Sequence, residues 1–131
     1  MSTRANIVVA DEEQHIQLYR HTDGYPDGRF GVLEALKKAL PFAWELPRME
    51  ADDFAAAIVR AWKDKGGGNI YIDGQGYNLH GDIEYLYIIR PNREKKCWTV
   101  KTYLDFRLMT FEQVEAKMRP RLETDLPTNF S

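Results

Sequence analysis

Five apolar side chains between residues 54 and 62 recur at the spacing of an α-helix. They stand at positions i, i+3, i+4, i+7 and i+8, and are Phe54, Ala57, Ile58, Ala61 and Trp62. This spacing puts all five side chains on one stripe of the helix, and the stripe needs an apolar surface to cover it. The chain is therefore expected to fold as at least two layers, with this helix packed on a second element.

A β-sheet is the predicted second layer. Residues 5–10 are rich in β-branched side chains, and residues 15–19 alternate after a polar turn, which together predict an N-terminal hairpin. Strand-type patterns continue from residue 69 to residue 106, and an antiparallel meander is the simplest way to join them. Residues 83–89 are apolar on both faces, which predicts a central strand.

Two further helices are predicted, one over residues 30–40 and one after residue 110. The helical spacing of residues 30–40 ends at Pro41, and the pair Thr110 and Gln113 forms a capping box ahead of a short third helix. The sequence thus predicts one α+β domain over residues 1–131, with an antiparallel sheet of about five strands and all three helices packed on one face. Residues 121–131 are expected to form an extended tail.

The composition of the chain argues against several classes of function. Eighteen basic and 20 acidic residues give a net charge of −2, so direct binding to nucleic acid is unfavoured. The lone Cys97 cannot form an internal disulfide, no secretory signal is expected at the N-terminus, and no apolar run is long enough for a membrane span. A cytoplasmic location is therefore expected.

The densest group of chemically active side chains lies in residues 20–28. One hypothesis is a ligand or catalytic site in which His21 transfers a proton, Asp23 orients the imidazole and Arg20 holds an anion, with Tyr25 alongside. The structural alternative is that Asp23 and Asp27 accept backbone N–H groups and that one of them caps the first helix.

The same segment carries a resemblance. Residues 2–5 (STRA) together with residues 19–26 (YRHTDGYP) resemble a family of small, mostly uncharacterised proteins encoded by bacteriophages, prophages and bacteria. The resemblance covers about the first thirty residues, and the family brings no established catalytic residues. It implies a viral or mobile-element setting, in which small acidic proteins frequently inhibit host defence systems.

Aromatic residues offer two further hypotheses. Phe42 and Trp44 form either an exposed anchor for a protein partner or an apolar contact buried under the helices. Tyrosines on the predicted sheet could stack RNA bases, but cross-strand packing explains them better, and acidic side chains lie nearby. These tyrosines are Tyr71, Tyr77, Tyr85, Tyr87 and Tyr103.

No cofactor or metal site is expected. The glycines form neither a dinucleotide-binding nor a phosphate-loop motif. A metal site would require two loops to converge, and nothing in the linear spacing demands this. Its candidate ligands would be His21, Asp23, His80 and Asp82.

Three hypotheses for function follow. The leading one is a phage-type accessory protein that acts by binding, and not as an enzyme, and blocks a host protein or nucleoprotein complex, for example as an anti-CRISPR or other anti-defence inhibitor. The alternative is a small enzyme or ligand-binding domain that uses Arg20, His21, Asp23 and Tyr25. The third is a self-assembling module that dimerises through an exposed strand edge.

Overall fold

The structure is an α+β fold, and the computed structural model describes residues 3–44, 48–63, 69–74, 79, 81–104 and 109–128. The strands are β1 (Ala5–Ala10), β2 (His15–Arg20), β3 (Tyr71–Ile72), β4 (Tyr85–Asn92), β5 (Cys97–Tyr103) and β6 (Leu122–Pro127). The helices are α1 (Val32–Ala39), α2 (Ala51–Trp62) and α3 (Phe111–Lys117), and a short 3-10 helix, Leu40–Phe42, directly follows α1.

The described strands form one mixed sheet of six strands in the order β3-β2-β1-β4-β5-β6. β1 and β4 are parallel, with Ile7 opposite Tyr87, and every other neighbouring pair is antiparallel. The predicted α+β class is confirmed. The described sheet has six strands where about five were predicted, and the parallel β1–β4 pair shows that the prediction of a purely antiparallel sheet was wrong. The N-terminal hairpin and the central position of β4 are confirmed, but the hairpin joins the later strands through a parallel pair instead of extending a meander.

The helices cover both faces of the sheet, so the prediction that all three lie on one face was wrong. α1 and α2 pack on the face that carries Ile7, Tyr87 and Trp98. α3 packs through Phe111 and Val114 on the opposite face. The physical reason is that β1 and the first half of β4 are buried on both faces, and an apolar surface on each face needs its own cover.

The helix predicted from the apolar stripe of residues 54–62 is confirmed as α2. Phe54, Ala57 and Ile58 are buried against the sheet, and Ala61 and Trp62 are partly buried in the same cluster. The Phe54 ring stacks on Trp98 of β5 with 4.7 Å between ring centroids. Each fully buried large apolar side chain contributes about 1.5–3 kcal/mol of transfer free energy, so this stripe fixes the helix to the sheet.

The N-terminus of α2 is bound by a residue forty positions earlier. One carboxylate oxygen of Asp11 accepts the backbone N–H groups of Glu13 and Gln14, and the other accepts the backbone N–H of Ala51 at 2.8 Å. Burial by itself would raise the pKa of Asp11, but these N–H donors outweigh burial and lower it. Asp11 therefore ties the β1–β2 turn to the start of α2.

The C-terminal segment completes the sheet. The capping box of Thr110 and Gln113 at the start of α3 is confirmed. Part of the expected tail forms β6, which pairs with β5 along its whole length, so this segment is extended but is also an edge strand. Within the described ranges, no helix has the length and apolar character needed to cross a membrane.

Candidate functional site

The loop from Arg20 to Phe30 caps α1 with its own backbone. The Val32 and Leu33 N–H groups donate to the carbonyls of Tyr25 and Pro26 at 2.9 and 3.2 Å. The helix begins after Gly31, which makes no side-chain cap, so the prediction that Asp23 or Asp27 caps this helix was wrong. A Cβ at Gly31 would collide with the carbonyl oxygens of residues 26 and 27, and glycine is therefore required there.

Two side chains from elsewhere in the chain hold this loop. The Tyr87 hydroxyl donates through the core to the Gly24 carbonyl at 2.6 Å, and Gly24 N–H donates to Thr3 at 2.9 Å. Asn69 Oδ1 accepts the backbone N–H groups of His21 and Thr22 at 2.9 and 3.0 Å, and its Nδ2 donates back to Thr22 O. The start of the loop is thus fixed relative to both the sheet and the chain after α2.

Arg20 is buried at the end of β2. Its side chain is 7% exposed, Nε donates to Thr22 O at 3.1 Å, and Nη2 donates to Phe30 O at 2.8 Å. The guanidinium carbon lies 4.5 Å from the centre of the Trp62 ring, in a cation–π contact. Desolvation lowers the pKa of Arg20, and the nearby Asp23 partly opposes this shift. In the described part of the chain, no carboxylate forms an ion pair with this charge.

Arg20 lines a cavity of about 260 Å³ between the loop, α1 and α2. Cationic side chains from Arg29 and Lys38 also line it, together with the carboxylate of Asp23. The side chains of Phe30 and Trp62 form apolar walls, and further lining comes from Thr22, Ala35, Ala61 and Asn69. We call this space the Arg20 cavity.

The other predicted loop residues do not assemble with Arg20 into a catalytic group. His21 Nδ1 lies 3.1 Å from the Tyr19 hydroxyl, whereas Asp23 accepts the Tyr25 hydroxyl at 2.9 Å. That hydrogen bond raises the pKa of Tyr25. Of the predicted loop residues, only Arg20 and Asp23 line the Arg20 cavity, and Asp27 is exposed outside it. The arrangement does not let Asp23 orient the imidazole of His21.

The structure does not bring the described members of the hypothetical metal site together. Asp82 forms an ion pair with Arg4 at 2.7 Å, and His80 lies outside the described residues. No group of three or more potential ligands occurs within the ranges that the structure covers.

Phe42 and Trp44 are exposed, at 43% and 51% of their surface. An arginine stacks on each ring: the Arg60 guanidinium carbon lies 4.3 Å from the Phe42 centroid, and that of Arg48 lies 4.6 Å from the Trp44 centroid. Asp53 of α2 also accepts the backbone N–H of Trp44 at 2.7 Å, which fixes this segment to the helix. We call Phe42, Trp44, Arg48 and Arg60 the aromatic–arginine surface.

A larger concavity, of about 510 Å³, lies on the α3 side of the sheet but already has its charges paired. Arg90 makes two hydrogen bonds to Glu115 at 2.6 and 2.7 Å, and Lys101 lies 3.7 Å from Glu123. These pairs leave little unbalanced charge for a ligand, in contrast to the Arg20 cavity.

The described tyrosines mostly pack in the core or against a neighbouring ring. Tyr87 and Tyr103 are buried, and the Tyr85 ring stacks on that of Tyr87. Tyr71 on β3 is exposed and contacts Tyr19 of the neighbouring strand, with 5.9 Å between ring centroids, and Tyr77 lies outside the described residues. Core packing therefore accounts for Tyr87 and Tyr103, and a cross-strand contact accounts for Tyr71.

The structure thus offers two candidate sites, the Arg20 cavity and the aromatic–arginine surface. Sequence reasoning singled out Arg20, Phe42 and Trp44 but missed Arg29, Lys38 and Trp62, which only the folded chain brings to the cavity. Comparisons with protein-family models, with curated proteins and with solved structures give no significant match in any of the three.

Proposed function

We propose that this chain is a phage-type accessory protein that binds another macromolecule in the host cytoplasm and blocks it, using the aromatic–arginine surface. The observation that carries the proposal is that two exposed aromatic rings, at residues 42 and 44, each have an arginine stacked on them. Tryptophan and arginine are enriched among the residues that dominate binding energy at protein interfaces. The resemblance of residues 2–5 and 19–26 to phage-encoded proteins supports the setting.

The chemistry of the surface favours a protein as partner. A pocket that accepts the Trp44 ring, with acidic side chains beside it, would match the apolar ring and the cations of Arg48 and Arg60. Glu50 already pairs with Arg48 at 2.8 Å, and the net charge of the chain is negative, so a bare phosphate backbone is a poorer match. A nuclease or another effector of a host defence system, such as CRISPR, is the proposed target class.

The alternative of a small enzyme has less support from the geometry. It requires Asp23 to orient His21, but Asp23 accepts a hydrogen bond from Tyr25, and His21 contacts Tyr19. General acid–base catalysis needs the proton-transferring group within hydrogen-bond reach of the substrate. The Arg20 cavity is not lined by His21, so a ligand bound there would lack that group.

The proposal is tested by co-purification followed by reconstitution. The tagged chain is expressed in bacteria with an active CRISPR or other defence system, and any effector that co-purifies stoichiometrically is purified and assayed for cleavage with the chain added back. The variant Phe42→Ser/Trp44→Ser removes both rings from the surface. The matched control is Tyr71→Ser/Ile72→Ser, which removes two exposed apolar side chains from β3.

We expect the wild-type chain and the control to inhibit the effector at equal stoichiometry. The Phe42→Ser/Trp44→Ser variant should bind at least tenfold more weakly, because truncating an interface hot spot costs about 2 kcal/mol or more. Equal loss of binding in the control would contradict the assignment of the surface. Turnover of a small substrate by the chain alone would contradict the function itself.

Self-assembly is distinguished by the oligomeric state. A second copy would have to pair with one of the two edge strands of the sheet, β3 or β6. Light scattering of the purified chain at increasing concentration would give a dimer mass under this hypothesis and a constant monomer mass under the blocking hypothesis.

A further inference from the structure

We propose that the Arg20 cavity binds the phosphate group of a small phosphate monoester. This site is separate from the aromatic–arginine surface, and the inference goes beyond blocking of a macromolecule and does not depend on it. Three cationic side chains, Arg20, Arg29 and Lys38, face a single carboxylate, that of Asp23. In a chain of net charge −2, the cavity is thus a local region of positive charge.

Arg20 supplies the strongest reason for an anion. A buried charge is costly unless an opposite charge compensates it, and the partners of Arg20 are two neutral carbonyls and an aromatic ring. The remaining guanidinium nitrogen, Nη1, has no hydrogen-bond partner among the described residues, although Arg20 lines the cavity. An oxyanion in the cavity would accept from this donor and supply the missing negative charge.

The excess of positive charge favours a phosphate over a carboxylate. A phosphate monoester carries a charge of about −1.5 to −2 at pH 7 and offers three acceptor oxygens. A carboxylate carries a single charge and two oxygens. Two cations beyond the one balanced by Asp23 therefore match a phosphate dianion, and Nη1 of Arg20 is the guanidinium nitrogen left to donate to a phosphate oxygen.

The walls of the cavity indicate an organic group on the phosphate. Phe30, Trp62, Ala35 and Ala61 line it together with the cations. These side chains offer apolar contact that free inorganic phosphate cannot use. The volume of about 260 Å³ accommodates a phosphate with a small ring or sugar, but not a long polymer.

The test is a titration of the full chain followed by two-dimensional NMR of backbone amides and of the Trp62 indole, at pH 7.5. The probes are phenyl phosphate, inorganic phosphate and benzoate. Phenyl phosphate should give saturable shifts at residues lining the Arg20 cavity, with tighter binding than either other probe, because it alone combines the dianion with an aromatic ring.

Variants localise the binding without disturbing the fold. Arg20 donates hydrogen bonds to two carbonyls of the loop, so an Arg20 variant could lose binding because the loop is disturbed. Arg29 and Lys38 are exposed, and they can be replaced without removing a buried side chain. Arg29→Gln/Lys38→Gln should weaken phenyl phosphate binding about tenfold or more, through loss of two charge-assisted contacts. The matched control is Lys37→Gln, an exposed cation on the same helix that does not line the cavity, and it should bind normally.

Three outcomes would overturn the proposal. They are the absence of saturable shifts at the cavity with phenyl phosphate, equal weakening by Lys37→Gln and by the double variant, and benzoate binding as tightly as phenyl phosphate. The last result would show that the site recognises an aromatic monoanion and not a phosphate.

Discussion

Replacing Tyr87 by phenylalanine should loosen the loop that bounds the Arg20 cavity and destabilise the fold. The Tyr87 side chain is buried on the α1/α2 face, and its hydroxyl donates to the Gly24 carbonyl at 2.6 Å. The variant leaves that carbonyl without this donor while keeping the ring. Loss of one partner in a buried hydrogen bond costs about 1–2 kcal/mol, because the remaining group stays desolvated.

The expected change is large enough for a thermal melt. With an unfolding entropy of about 2.1 cal/mol/K per residue, a chain of this length loses roughly 4 °C in Tm for each kcal/mol. Tyr87→Phe should therefore lower Tm by about 4–8 °C, as measured by circular dichroism. Amide hydrogen exchange should accelerate most at Gly24 and its neighbours, since the loop loses its anchor to the sheet.

Tyr85 provides the matched control. It lies on the same strand and face, its ring stacks on Tyr87 at 6.1 Å between centroids, and its hydroxyl has no hydrogen-bond partner among the described residues. Tyr85→Phe should change Tm by less than about 2 °C, as expected for a substitution away from special features. A Tyr87→Phe variant that melts no lower than Tyr85→Phe would refute the argument that the hydroxyl anchors the loop.

Three further predictions concern stability. Thr102→Val should stabilise the fold by about 1 kcal/mol in urea unfolding, because the buried Thr102 Oγ1 has no hydrogen-bond partner among the described residues. The control Thr99→Val lies on the same strand but is only partly buried, and it should gain nothing because it loses the hydrogen bond from Thr99 Oγ1 to Asp125. Asp11→Ala should lower the free energy of unfolding by about 1–2 kcal/mol at pH 7, because it removes the carboxylate that accepts Ala51 N–H. Since folding lowers the pKa of Asp11, this stabilisation is present above the unfolded pKa of about 3.9 and is lost as the pH falls through the folded pKa. The free energy of unfolding should therefore fall less on acidification in the variant than in wild type. Thr110→Ala should cost about 1 kcal/mol by removing the capping box of α3, and no change in the urea midpoint would contradict this role.

The elements with strong local signals were predictable from sequence. The apolar stripe of α2 and the capping box at Thr110 are set by neighbouring residues, and both were confirmed. The parallel pairing of β1 with β4 depends on contacts between residues about 80 positions apart, which no local pattern specifies. β6 was not predicted as a strand because the segment contains Pro127 and several polar side chains, which do not give the apolar alternation of a buried strand. Such residues are tolerated in an edge strand, where half of the backbone groups face solvent.

The position of α3 could have been predicted from one signal. Residues 83–89 are apolar on both faces, which requires cover on both faces, yet the predicted layering placed every helix on a single face. Val8 and Ile88 point to the face opposite Ile7, and they meet Phe111 and Val114 of α3. A strand that is buried on both sides therefore carries more information about layer number than the helices themselves do.

Much of the motif at residues 19–26 is used to hold the backbone of the loop, and this explains why its polar composition suggested a catalytic site that the structure does not assemble. The carbonyls of Tyr25 and Pro26 cap α1, and Gly24 bonds to Tyr87, so these positions serve the backbone. Arg20, at the end of β2, lines the cavity. From sequence alone, a loop rich in polar side chains resembles a catalytic site, because the sequence does not show which of them the fold uses for its own hydrogen bonds. In the folded chain, Arg20 is buried and has no ion-pair partner among the described residues. Arg20 is therefore a better candidate for binding a ligand than His21 is.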